Sequence, residues 1–123
     1  MNTKSINIQA LAFIGDAVLS LYIREELLKK GIVKANILQK KTTEYVSAKG
    51  EVKILNHLIT SGILTEEEIE IIRRGRNNKK DSHPKNTDII TYKWSTGFEA
   101  LLGYLYLNNI VRLKEILKEI GVE

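Results

Sequence analysis

Residues 10–26, ALAFIGDAVLSLYIREE, form the most apolar long stretch of the chain. Leu11, Phe13, Ile14, Val18, Leu21, Tyr22 and Ile23 recur too densely, over too long a run, for a strand. They predict a mostly buried helix that Ser5 could cap and that should stop at Gly31. Further on, KANILQKKTTEYV (34–46) predicts a weaker second helix with Ile37, Leu38 and Tyr45 as its apolar contacts. Ser47 should cap a third, with Val52, Ile54, Leu55, Leu58 and Ile59 as its buried stripe. Thr65 and Glu68 make a capping box opening a fourth helix, TEEEIEIIRR, that ends near Gly75. The segment RGRNNKKDSHPKNTD reads as loop. It carries the single proline, Pro84, and is rich in Asn, Lys, Asp and Ser. A fifth helix should follow, capped by Thr87 or Thr91. A sixth, IVRLKEILKEI, should be capped by Asn109 and ended by Gly121, with Ile110, Leu113, Ile116, Leu117 and Ile120 as its buried face. The pattern predicts an all-α protein of six or seven helices.

Two of these helices carry an acid where burial should penalise one. Asp16 has Ala12 four residues before it and Ser20 four after; Glu99 has Ser95 and Gly103 at the same spacings. A carboxylate in an apolar helix is costly unless it is paired, hydrogen-bonded or on a metal. Small residues on either side leave room for a second helix or an ion. Two such stripes suggest helices that cross with their carboxylates facing, and an oxygen-only pair suits a hard divalent cation. Two unrelated acids, each satisfied locally at a helix edge, would leave the same pattern. The residues alone keep both readings open.

Composition narrows the setting. At 123 residues the chain has room for one domain, 1–123, with a proper core. It has no cysteine, which removes disulfides and thiolate metal sites. The opening MNTKSINIQ shows no signal pattern and Asp16 interrupts the longest apolar run, so a soluble cytoplasmic protein without a membrane partner is expected. Charge is uneven. Residues 73–93 hold seven Lys or Arg against Asp81 and Asp88, a local +5 where the whole chain is +4. Arg73, Arg74, Arg76, Asn77, Lys79, Lys80 and Lys85, grouped around the loop at 75–88, suit phosphate and sugar contacts on a nucleic acid. An ordinary solvated loop would have the same composition. Tyr92 and Trp94 could stack on a base, although a tryptophan beside an apolar helix is more often a core anchor. His57 reads as structural, and Glu66, Glu67 and Glu68 as complements to a helix dipole.

LAFIGDAVLSLYIRE resembles the signature helix of the ribonuclease III catalytic domain, and FEALLGYLYL resembles that family's second acidic helix. The fuller signature carries glutamates seven and four residues before the aspartate, where this chain has Gln9 and Ala12. It also carries an aspartate three residues before the last glutamate, where this chain has Thr96. The reduced acidic set, the short length and the RRGRNNK and PKNTD segments resemble the Mini-ribonuclease III branch.

The resemblance implies Mg²⁺-dependent hydrolysis of double-stranded RNA that leaves 5′-phosphate and 3′-hydroxyl ends, with Mn²⁺ as a substitute. It implies Asp16 and Glu99 as catalytic metal ligands. It also implies a homodimer that cuts both strands, and 23S ribosomal RNA precursor, in a ribosomal particle with room for a ribosomal-protein helper, as the substrate. Apolar surface for the dimer is expected from Phe13, Leu21, Tyr22, Leu101, Tyr104 and Leu105. No double-stranded-RNA-binding module is expected after the sixth helix, which puts the burden of grip on the basic segment. A non-catalytic RNA- or ribosome-binding protein that kept the fold remains the alternative, and a helical adaptor the third reading; neither explains both acids.

Overall fold

A computed structural model describes residues 6–78 and 88–123. The described residues form six helices and no strand: α1 (Ile8–Lys29), α2 (Ala35–Val46), α3 (Ala48–Ser61), α4 (Glu66–Arg76), α5 (Ile89–Asn108) and α6 (Ile110–Lys118). The helix α5 is the centre. It packs against α1, α3, α4 and α6, and Phe98, Ala100, Leu101 and Leu102 are wholly buried along it. A helix that is apolar around most of its girth must be surrounded. For that reason Leu101, Tyr104 and Leu105 lie in the core and offer no surface to a second subunit. Of the six side chains expected to supply apolar surface, Phe13 (78% exposed) and Leu21 (59%) do so, and Tyr22 is partly buried.

The caps follow local chemistry. Ser47 accepts a hydrogen bond from the Gly50 amide, and Asn109 accepts one from that of Arg112. Thr65 and Glu68 complete the capping box in both directions. The chain leaves α1 through Gly31 at φ +87°, with Ile32 N–H donating to Leu27 O and Gly31 N–H to Leu28 O. This double closure needs the left-handed region that glycine reaches without strain.

Two caps differ from expectation. The helix α1 begins at Asn7, whose side chain accepts from Gln9 N–H at 2.7 Å, and Ser5 lies outside the described residues. The cap of α5 is Asp88, which accepts from both the amide and the hydroxyl of Thr91 at 2.8 Å. Asp is a stronger cap than Thr, and Thr91 serves as its donor; Thr87 lies outside the described residues. The helix α6 ends at Lys118, before Gly121, although Ile120 and Val122 still reach the core. Ile59 and Ile110, expected on buried stripes, are largely exposed.

One buried ion pair ties α6 to the start of α4. Glu68 accepts from Arg112 Nε at 2.8 Å and from Arg112 Nη2 at 2.9 Å, while Nη2 also donates to Ile63 O at 2.6 Å. Burial pushes the Glu68 carboxyl up. The Arg112 hydrogen bond and the Thr65 amide outweigh it and hold the group below the usual carboxylate range. At the far edge, Tyr45 Oη accepts from Glu123 N–H at 2.9 Å, fastening the last residues onto α2.

Candidate metal centre

The crossing of α1 on α5 is set by Gly15. A Cβ at that position would collide with the carbonyl of Glu99, so only glycine lets the two backbones come this close. The contact face of α1 therefore runs through Leu11, Gly15 and Leu19, all buried. Asp16, the next residue, stands at the margin of that face, exposed, beside half-buried Glu99. The small-residue stripes thus mark a real crossing, at which Gly15, the aspartate's neighbour, and Gly103 of the second stripe, where a Cβ would collide with the Leu11 carbonyl, both let the backbones approach. Ser20 accepts from Arg24 Nε, and buried Ser95 donates to Tyr92 O.

A third acid completes the site. Glu51, in the first turn of α3, is 1% exposed, and one carboxylate oxygen from each of Asp16, Glu51 and Glu99 lies within 4.8 Å of the others. The sequence pattern does not single out Glu51, yet it stands four residues before Leu55 and seven before Leu58, on the register of the buried stripe. Burial pushes Glu51 well above the usual carboxylate range, and Glu99, through its charge and its hydrogen bond, and then Asp16, push it further. Glu99 is pushed up to about 8, chiefly by burial and then by the Asp16 charge, against the opposing hydrogen bond from Glu51. Without a cation the cluster keeps protons that three solvated acids would shed. Glu51 Oε2 has no hydrogen-bond partner among the described residues, an expensive state for a buried carboxyl oxygen.

These residues fit a divalent cation. The donor set is all oxygen, one member is aimed inward with an unmet acceptor, and a positive charge would relieve the mutual repulsion that raises two of the three groups. Above the acids opens a hollow lined by Gln9, Ala12, Phe13, Asp16, Tyr92, Thr96 and Glu99.

Comparison with known proteins agrees with this geometry. The ribonuclease III domain model matches residues 9–109, a span that contains all three acids. The chain belongs to the ribonuclease III family. It is 47% identical over 117 residues to a Mini-ribonuclease 3 of Streptococcus pneumoniae, covering 94% of this chain and 91% of that one. A Mini-ribonuclease 3 of Staphylococcus aureus is 41% identical over 118 residues, covering 95% and 88%. A crystal structure of a Fusobacterium nucleatum protein superposes with a TM-score of 0.79 at 31% identity, covering 93% of this chain and 90% of that one.

Against the ribonuclease III signature, the neutral substitutes Gln9, Ala12 and Thr96 all line the hollow above the acids. They make its wall less negative than three further carboxylates would.

The basic residues take different directions at the end of α4. Arg73 is held by Glu70 at 2.6 Å; with Arg74 and Asn77 it borders a hollow against Ile6, Asn7 and Ile8. Arg76 closes α4 on the other side, toward α5. Lys79, Lys80 and Lys85 lie outside the described residues. Trp94 is partly buried against the core, and His57 is exposed on α3. No described helix is long and apolar enough to cross a membrane.

Proposed function

We propose that this chain is a single-domain endoribonuclease, residues 1–123, that cleaves double-stranded RNA with the aid of a divalent cation. The observation that carries the reading is the convergence of Asp16, Glu51 and Glu99 from α1, α3 and α5 in a ribonuclease III fold. Asp16 and Glu99 would hold the cation, and buried Glu51, whose Oε2 is left unmet, would add a third oxygen while its hydrogen bond fixes the Glu99 carboxyl. When bound, Mg²⁺, or Mn²⁺ in its place, would lower the pKa of an attacking water and stabilise the leaving 3′-oxygen, giving 5′-phosphate and 3′-hydroxyl ends. The hollow lined by Gln9, Phe13, Tyr92 and Thr96 receives the backbone around the scissile phosphate. Arg73, Arg74, Arg76 and Asn77, with Lys79, Lys80 and Lys85, grip the flanking phosphates. A-form RNA would be read by shape and 2′-hydroxyls.

Exposed Phe13, Leu21, Tyr106 and Ile110 support a homodimer that sets two such sites on opposite strands. The resemblance to Mini-ribonuclease III favours 23S ribosomal RNA precursor in the cytoplasm as substrate. A ribosomal particle, with a ribosomal protein as helper, would add contacts to those of the basic segment. Equal cleavage of naked and particle-bound precursor at physiological salt would remove the particle from this account.

The test is cleavage of long double-stranded RNA with Mg²⁺ by the wild type, Asp16→Asn and Glu99→Gln. Metal-dependent cutting that vanishes in both variants while RNA binding persists is the expected result. Binding without any cutting, even of ribosomal precursor particles, would leave a non-catalytic RNA-binding protein instead.

A further inference from the structure

At the crossing of α4 and α5 lies an arrangement of which the reading above uses only Arg76 and Asn77, and not the ring that Arg76 rests on. The guanidinium carbon of Arg76, the last residue of α4, sits 4.6 Å from the centroid of the Trp94 ring on α5. Its Nε donates to Asn77 Oδ1 at 3.0 Å. Among the described residues nothing engages its two Nη groups. Arg73 is paired with Glu70, and Arg112 is committed to Glu68 and Ile63; of the described arginines, Arg76 is the one set over an aromatic ring.

The platform is rigid for a packing reason. The helices α4 and α5 meet at Gly75 and Gly97, where a Cβ on Gly75 would come within 2.6 Å of the Gly97 Cα. Arg76 follows the first glycine and Trp94 precedes the second by three residues, so the crossing fixes one against the other. Trp94 stands five residues before Glu99 on the same helix, about 7.5 Å along the axis. The hollow over the acids shares Gln9, Tyr92 and Thr96 with a smaller one that is lined also by Gly75 and Lys93, the chain neighbours of Arg76 and Trp94.

We infer that Trp94 is a positioning residue for RNA: its ring and Asn77 hold the Arg76 guanidinium so that the Nη edge meets one backbone phosphate of the bound duplex. A guanidinium over an aromatic face keeps its N–H edge available, and that edge forks onto a phosphate as an ammonium cannot. Holding it in place beforehand removes the ordering cost that a free arginine would meet on binding. This inference rests on the double-stranded-RNA reading above.

The chain has one tryptophan, so Trp94 fluorescence reports on the platform directly. In EDTA, titration of the unsubstituted protein with a short RNA duplex should change the emission saturably, at the concentrations where an independent binding assay shows the complex. This arm needs no variant to fold. In steady-state cleavage, Trp94→Leu should raise KM about 5- to 10-fold, with the change falling on KM rather than kcat. Trp94→Tyr should recover most of it. Arg76→Lys should behave like Trp94→Leu, and Trp94→Leu with Arg76→Ala should be no worse than Arg76→Ala alone. Emission indifferent to RNA that demonstrably binds, a loss confined to kcat, or additive losses in the double variant would each overturn the inference. A wild type that cuts RNA while Trp94→Leu keeps its KM defeats this inference alone. A wild type that binds no duplex defeats the reading beneath it as well.

Discussion

Glu51 and Glu68 are both buried glutamates near the start of a helix, 1% and 5% exposed, and their surroundings give them opposite characters. Glu68 meets a guanidinium on both oxygens and the Thr65 amide on one, and stays ionised. Glu51 meets two more acids and leaves an oxygen without a partner among the described residues. Burial alone therefore says nothing about role; the sign of the neighbours decides. The satisfied ion ties α6 to α4, and the unsatisfied one stands in the acid cluster that we propose holds a cation.

The widest separation should appear in catalysis. Asp16→Asn or Glu99→Gln should cut the rate of RNA cleavage on the order of 10³-fold or more. Glu68→Gln, assayed where it remains folded, should stay near wild type in single-turnover rate. A comparable loss in Glu68→Gln would erase the distinction between the two regions.

Stability should separate them next. Arg112→Met strands a buried carboxylate and should cost about 3–5 kcal/mol in urea unfolding. Adding Glu68→Gln should return part of that loss. Glu51→Gln removes a reluctant acid while keeping a donor, and should raise the stability of the metal-free protein by about 1 kcal/mol. The same change should shrink the rise in melting temperature that Mg²⁺ produces.

The gentlest test is the pH profile of stability in EDTA, in which the two regions pull opposite ways. The folded-state pKa of Glu99 is raised to about 8, so the native state holds a proton that the unfolded chain has released. Its contribution is present in acid and declines as pH climbs from the ordinary carboxylate range to about 8. The pKa of Glu68 is lowered, so its contribution is present above the ordinary carboxylate range and is lost as pH falls through the folded value. Glu99→Gln should flatten the upper limb and Glu68→Gln the lower one. Identical profiles in the two variants would contradict the assignments.

Much of this was legible before any coordinates. The capping residues of α3, α4 and α6 follow from the side-chain chemistry of Ser47, Thr65 and Asn109, which acts over three residues and needs no tertiary partner. Asp16 and Glu99 stood out because an acid in an apolar run violates the pattern around it. Glu51 escaped because its neighbours, AKGEVK, are mixed; a charged residue there looks like any solvated helix start until α1 and α5 close over it. Leu101, Tyr104 and Leu105 were misplaced because a helix apolar on every side does not reveal which of its faces other helices will cover. Those are tertiary facts, and a local pattern does not contain them.

Asp16, Glu51 and Glu99 are separated by 35 and 48 residues along the chain, and this spacing has a kinetic consequence. No contiguous fragment shorter than most of the domain holds all three. The first acid must wait for the last helix that carries one, and the loop closure this demands is among the more distant in the molecule. During synthesis α1 emerges from the ribosome long before α5 can cover it. The three carboxylates therefore come together only once α5 has packed on both α1 and α3.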